Sequence, residues 1–468
     1  MSAPASVVSR TSFLATSLCI AILGLLPITP LSIVGSWHDG GRMLQVFIFM
    51  TAAPLAANLL TGPASGRLRW AVVGLASLLL VCSCLHSATP SMAVREVLTL
   101  GGFGLLATAT AHAFRNDNFA RFIEKGVVVG AGLHAGLTIA LGIAALLSHI
   151  PLDDRHLIIG FDNPRFLNHA QTVMLPLLAG VSASTSIGRP WRAAATLALA
   201  GQSSLLLLTL GRATSLSLVI ALGAACLLFG RHGRRWATHL LAGIALGGVV
   251  YMSLFQFGAT LAGDRVQDTL NAESSLDSDH SRLYLWRIAL DDIRESPLWG
   301  IGPMHFAHHP NHGGAHPHNF YLQLAAEFGL PLALLAIGVM AAAMLRRMRD
   351  LRANPDIEPM TLAAFLACFA ASVDACFSGN MVMPISQLWI ALAVGMAFAS
   401  PSIGHDSELA AVWSPWRIVA STLIALLYAG FAVNTAMGWY GRHVESATPS
   451  PSISSEPLRP RFWLDGWF

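Results

Sequence analysis

The sequence predicts an all-α, polytopic integral membrane protein on three observations. Of its 468 residues 54% are apolar, only 11% are charged, and mean hydropathy is +0.59. Soluble domains carry roughly a quarter charged residues, so a soluble enzyme is excluded. Disorder needs the opposite balance of high charge and few apolar residues. A net charge of +3, scattered in short clusters, makes no basic face for nucleic acid.

A helix needs about 20 mostly apolar residues to cross about 30 Å of hydrocarbon. That ruler predicts about thirteen spans, with soft boundaries that admit about twelve to fourteen. The first, 11–35, follows Arg10 as a signal peptide would, but the many apolar segments behind it make it a retained span. Spans at 43–60, 70–86, 92–114, 126–148, 168–187, 191–209, 213–229 and 236–257 complete an N-terminal bundle over 1–257. One large hydrophilic loop, 258–319, follows. Then come spans at 320–345, 361–378, 383–400 and 416–437, the C-terminal membrane helices of 320–437, and a short tail, 438–468. Cys19, Cys82, Cys84, Cys226, Cys368 and Cys376 all lie in or beside apolar segments, where they act as small hydrophobes and not as disulfides or thiolate ligands.

Short loops rich in Lys and Arg stay cytoplasmic. Arg67 and Arg69; Arg115, Arg121 and Lys125; Arg189 and Arg192; Arg231, Arg234 and Arg235; and Arg346, Arg347, Arg349 and Arg352 occupy every second loop. The loop 258–319 and the tail are therefore expected outside, on the periplasmic face. Small residues such as Gly101, Gly102, Gly130 and Gly132 allow close helix approach. The halves of the chain do not repeat and no matched Gly/Pro-broken spans occur, which argues against a transporter.

Polar chemistry gathers on the outer side. Within the loop, SRLYLWRIALDDIRESP has helical spacing and predicts an amphipathic helix over 282–295. Ser281 is its expected cap, Leu283, Trp286, Ile288, Leu290 and Ile293 its apolar stripe, and the outer membrane surface its seat. Behind it lie His305, His308, His309, His312, His316 and His318. A metal site would use several imidazoles at fixed spacing, but Pro310 and Gly313-Gly314 prevent one helical face. The competing reading makes one or two histidines, held by His316-Pro317-His318-Asn319 at the start of a span, proton acceptors or hydrogen-bond donors.

Arg165, Arg212, Arg265 and Arg282 reach the same face. Each alone is explained by snorkelling; together, their guanidinium forks suit the oxygens of a lipid-linked phosphate or pyrophosphate. Asn168 and Gln171, one and two turns after Arg165, and Asn319 and Gln323 are candidates to orient substrate, or else to cap and brace helices. Glu327, Asp374, Arg95 and Glu96 are further charges in apolar surroundings, where charge is functional by default; Arg95 and Glu96 lie near enough to an interface to be hydrated and are left outside the site.

The stretch Ser281 to Leu335, with Arg282, Trp286, SPLWGIGP, His318-Asn319, Leu322-Gln323, Glu327 and Gly329-Leu330, resembles the O-antigen ligase and Wzy-type polymerase superfamily of bacterial membrane glycosyltransferases. TLGR at Arg212, N-x-x-Q after Arg165 and the large late loop extend the resemblance. It implies a GT-C-like, metal-independent, inverting enzyme of the bacterial inner membrane with no cofactor. Its donor would be an undecaprenyl-pyrophosphate-linked glycan and its loop a lid over a cavity between spans. His318 would match the family's loop histidine, with His316 as backup, and Arg212 and Arg282 its phosphate-binding arginines, helped by Arg165 and Arg265. O-antigen ligation to lipid A core is the expected reaction, with a protein (pilin-type) acceptor and then O-antigen polymerisation as alternatives. The aromatics of SEPLRPRFWLDGWF suit an interfacial anchor.

Overall fold

The computed structural model describes residues 36–60, 67–150, 157–261, 277–309, 311, 313–399, 415–442 and 460–468. The expected first span, 11–35, and Arg265 lie outside the described residues. The described chain is helical throughout, without strands. Its order is α1 (Trp37–Leu60), α2 (Arg67–His86), α3 (Pro90–Phe114), α4 (Asp117–Leu147), α5 (Pro164–Ala183), α6 (Arg189–Leu208), α7 (Arg212–Leu228) and α8 (Gly230–Val250), which runs on as a π-helical stretch, Tyr251–Gly258. Then follow α9 (Asp277–Glu295), α10 (Phe320–Phe328), α11 (Leu330–Ala353), α12 (Pro359–Asp374), α13 (Pro384–Phe398) and α14 (Pro415–Tyr440).

Among the described residues, five helices are long and apolar enough to cross a membrane: Pro90–Phe114, Asp117–Leu147, Gly230–Gly258, Leu330–Ala353 and Val419–Tyr440. Four shorter apolar helices accompany them: Ala71–His86, Arg212–Leu228, Pro359–Asp374 and Pro384–Phe398. The chain is thus a multi-pass membrane protein. Two expected spans, now α5 and α6, are helices but carry polar side chains, Asn168, His169, Gln171 and Thr172 in one and Gln202, Ser203 and Ser204 in the other, all buried. Protein rather than lipid surrounds that polarity, which is where the bilayer tolerates it.

Helix α5 is the hub. It packs on α12, α6, α8 and α13, while α1 pairs with α14 and α3 with α13. A Cβ on Gly180 would sit 2.3 Å from the Cβ of Ala363, so a glycine is what lets α5 and α12 meet. By contrast α11 leaves Leu334, Val339 and Leu345 exposed, a face suited to lipid.

Three expectations are corrected. The span expected at 320–345 is broken at Gly329, whose φ of +79° separates α10 from α11. A Cβ there would lie 2.3 Å from the carbonyl oxygen of Leu298, so the break seats the end of α10 against the loop. The loop helix begins at Asp277, which puts Ser281 inside it and not at its cap. Its buried line is Leu285, Ala289 and Asp292, whereas Leu283 and Leu290 are exposed. Leu285 and Ala289 pack with Phe306 and Ala326, and Ile288 and Ile293 of the expected stripe pack against that cluster; the helix lies on the histidine segment and α10, so the stripe holds in part and its centre shifts to Leu285 and Ala289. The aromatics Phe462 and Trp463 are buried in the protein core, not held at an interface.

Candidate functional site

The site is built around the turn His316-Pro317-His318-Asn319, pinned from two sides. Trp286 of α9 donates its indole N–H to the Pro317 carbonyl at 3.0 Å. At the other end the Phe320 amide donates to the Ala375 carbonyl (2.8 Å), and the Tyr321 hydroxyl to that of Ser372 (2.8 Å). Asn319 caps α10, its Oδ1 accepting from the amides of Tyr321 and Leu322. With both flanks fixed, His318 is held at φ +52°, a left-handed conformation that costs an L-residue about 1–2 kcal/mol. Strain of this kind survives only where surrounding structure enforces it.

The His316 and His318 rings are 4.1 Å apart, centre to centre. The His318 amide donates to His316 Nδ1 at 3.3 Å. His316 is buried, and a Cβ on Gly379 would lie 2.5 Å from its Cε1, so the 379 backbone is the floor beneath that ring. Burial first, then the charges of Arg282 and Arg165, push His318 down to about 3. Burial, then His318, Arg461 and His169, likewise hold His316 well below the ordinary range. Both imidazoles are therefore neutral at neutral pH, the state that can accept a proton.

Arg165 is the second residue of α5, a helix started by Pro164 and by Asn163, whose side chain accepts from the Arg165 amide at 2.8 Å. Arg212 opens α7 from a turn in which Leu210 has φ +48°. Asn168 secures that turn, donating to Thr209 Oγ1 at 2.6 Å and to Gln171 Oε1 at 3.1 Å. Gln171 in turn donates to Gln202 Oε1 at 3.1 Å. Asn168 and Gln171 are buried, and these contacts within the protein brace the turn that carries Arg212. Gln323 is buried too and donates to Glu327 Oε2 at 3.3 Å.

The structure thus gathers His316, His318, Arg165 and Arg282. Arg212 is tied to the same helix, α5, through Asn168, and the start of α10 carries Asn319 and Gln323. Two residues beneath the cluster escaped the sequence reading of the site. Asp374, fully buried at the end of α12, accepts from the Ser378 hydroxyl at 2.7 Å and lies 3.8 Å from Nδ1 of His169. Arg282 acts electrostatically on both. A carboxylate inside an apolar helix was the signal, but nothing in the spacing pairs it with a histidine 205 residues earlier. Among the described residues, no group of three or more His, Cys, Asp or Glu side chains could hold a metal ion.

A family model described as O-antigen ligase matches residues 166–337. No curated protein matches the chain. The match begins one residue after Arg165 and takes in Arg212, Arg282, His316 and His318. Residues 166–337, less than half of the chain, are thus similar to the O-antigen ligase family, and the matched stretch is the one that carries the loop histidines and two of the arginines.

Proposed function

We propose that the protein transfers a preassembled glycan from undecaprenyl pyrophosphate to an acceptor hydroxyl on the periplasmic face of the inner membrane, with the lipid A core as acceptor. The observation that carries this reading is the pinned, strained turn that holds His318 with His316 4.1 Å away, on which Arg165 and Arg282 act electrostatically.

A polyprenyl pyrophosphate is already a good leaving group. What it needs is charge stabilisation on its oxygens and an oriented nucleophile. Arg282, Arg165 and Arg212 bind the pyrophosphate. The acceptor oxygen attacks the anomeric carbon as its proton passes to His318, with His316 as the alternative base. The bond from the anomeric carbon to the phosphate oxygen breaks, its electron pair leaves with undecaprenyl pyrophosphate, and one direct displacement inverts the anomeric centre. Arginine charge supplies the electrostatics, so no step is assigned to a metal. The bound anion offsets the cations that hold His318 low, so donor binding itself strengthens the base.

Complementation of a ligase-deficient Gram-negative strain tests the reading. The intact chain is expected to restore capped lipopolysaccharide, and His318→Ala to lower transfer by about 10²–10⁴-fold. Glycosylated surface protein without a lipopolysaccharide ladder would move the acceptor to a protein hydroxyl. Retention of anomeric configuration would overturn the single displacement.

A further inference from the structure

The segment 460–468 sits far from the matched family region in sequence, yet it is fastened to the histidine loop. Arg461 is 1% exposed. Its Nη2 donates to Glu327 Oε2 at 2.6 Å and to Glu96 Oε1 at 3.1 Å, while its Nε and Nη1 have no hydrogen-bond partner. The two carboxylates therefore hold the guanidinium in place. Glu327 is fully buried on α10, nine residues after His318. Its other oxygen, Oε1, accepts from the amide of Phe306 at 3.2 Å, so one carboxylate joins the 460–468 segment to both ends of the histidine-rich stretch.

Further ties run the same way. Phe468 offers its carbonyl to His308 Nδ1 at 3.0 Å, and its ring lies 5.3 Å from that of His305. On the other side Arg42 of α1 donates to the Arg461 carbonyl (3.1 Å) and the Phe462 carbonyl (3.2 Å). The same guanidinium reaches the Val382 carbonyl at 2.6 Å. Val382 closes the turn that starts at Gly379 (2.8 Å between its amide and the Gly379 carbonyl), and Gly379 is the floor under His316. Two routes, one through Glu327 and one through Arg42, thus lead from this segment to opposite sides of the His316–His318 pair.

We propose that residues 460–468 are an intramolecular strap that holds the catalytic histidine loop in its reactive shape, with Arg461 as the positioning residue acting through Glu327. The proposal rests on the glycan-transfer reading for its effect on rate, but not for its effect on loop order. A buried carboxylate stripped of its cation is left with an uncompensated charge; Glu327 relieves it by taking up a proton, and the neutral carboxyl accepts more weakly from the Phe306 amide. Misplacing a reacting group by about 1 Å is enough to cost about a hundredfold in rate.

The experiment compares the intact full-length protein, Arg461→Met, Arg461→Lys and Phe468→Ala, each purified in lipid nanodiscs. Transfer from an undecaprenyl-pyrophosphate-linked glycan is followed together with amide hydrogen exchange. Arg461→Met is expected to lower kcat by about ten- to a hundredfold with the KM for donor nearly unchanged, and to raise exchange over 301–320 but not in α5 or α12. Arg461→Lys restores part of kcat, because a point charge can still pair with Glu327, and Phe468→Ala raises exchange at 305–308. Unchanged exchange over 301–320 in Arg461→Met overturns the strap, as does an unchanged kcat. If Arg461→Met does not fold, Arg461→Lys and Phe468→Ala decide by the same two readouts. If the intact protein transfers no glycan, the transfer reading fails, and the exchange comparison alone still supports or overturns the strap.

Discussion

At the scale of single residues, the site depends on the electrostatics of His318. An imidazolium beside a guanidinium is disfavoured, so replacing Arg282 by methionine should move the His318 pKa upward from about 3 toward its ordinary value of about 6.5. Nuclear magnetic resonance of histidine-labelled protein would read this directly; a pKa that stays put or falls would mean that Arg282 does not face His318. The same depression has a stability consequence. The unfolded chain takes up protons on these histidines first, so stability present above about 6.5 is lost as the pH falls toward the folded-state value. Gly379 supplies a steric test of the same pair. Its backbone conformation would accept alanine, but the added methyl would lie 2.5 Å from the His316 ring. Gly379→Ala should cost about 1–3 kcal/mol of stability, as overpacking does, with loss of transfer; a variant as active and as stable as the parent would remove His316 from its place beneath His318.

At the scale of elements, the instructive case is the break between α10 and α11. The apolar pattern of 320–345 is continuous, and hydropathy carries no mark of the kink. Gly329 and Pro331, the proline in the first turn of α11, are the local signals, because a proline cannot extend a helix behind it, and a reading by hydropathy alone passes over both. The physical reason lies in a distant segment, since the Leu330 amide donates to the Pro297 carbonyl at 2.8 Å and the Gly302 amide to that of Glu327 at 3.0 Å. Gly329→Ala must adopt φ +79°, ψ +158°, a region essentially reserved to glycine that costs about 1–3 kcal/mol, and must also relieve a contact with Leu298. Thermal unfolding should show at least that loss, with faster exchange in 297–302; a variant of full stability would mean that the helix simply straightens. The loop helix shows the same limit of local reading. Its existence and part of its packed face, Ile288 and Ile293, were legible from spacing, but Leu285 and Ala289 at the centre were not, because they are buried by Phe306 and Ala326 from outside the helix.

At the scale of the whole molecule, composition made the membrane class legible, while the loop motif and the separate Arg165 segment marked His316, His318, Arg165 and Arg282 only as candidates for one site. What stayed hidden were pairings between residues more than a hundred positions apart, Arg461 with Glu327 and His169 with Asp374, since neither periodicity nor spacing encodes them. A third long-range device is a buried hydrogen-bond ladder that joins α4, α5 and α6. From Thr209 beside Arg212 it passes through Asn168, Gln171 and Gln202 to His134, whose Nε2 meets the Ile159 carbonyl at 3.0 Å. Gln202 is the central rung, with its Nε2 also 2.8 Å from the Ala131 carbonyl. Gln202→Leu keeps the volume but strands Gln171 and His134 in an apolar interior, at a cost of about 1–3 kcal/mol. Replacing His134 by leucine as well removes one of the stranded partners, so the double variant should lose less than the two single losses added together. If the ladder also sets the Arg212 turn, Gln202→Leu should raise the KM for the donor more than it lowers kcat, as loss of a binding group does. Additive losses in the two-residue cycle, with donor KM unchanged, would show that the rungs act separately and that the ladder does not reach the site.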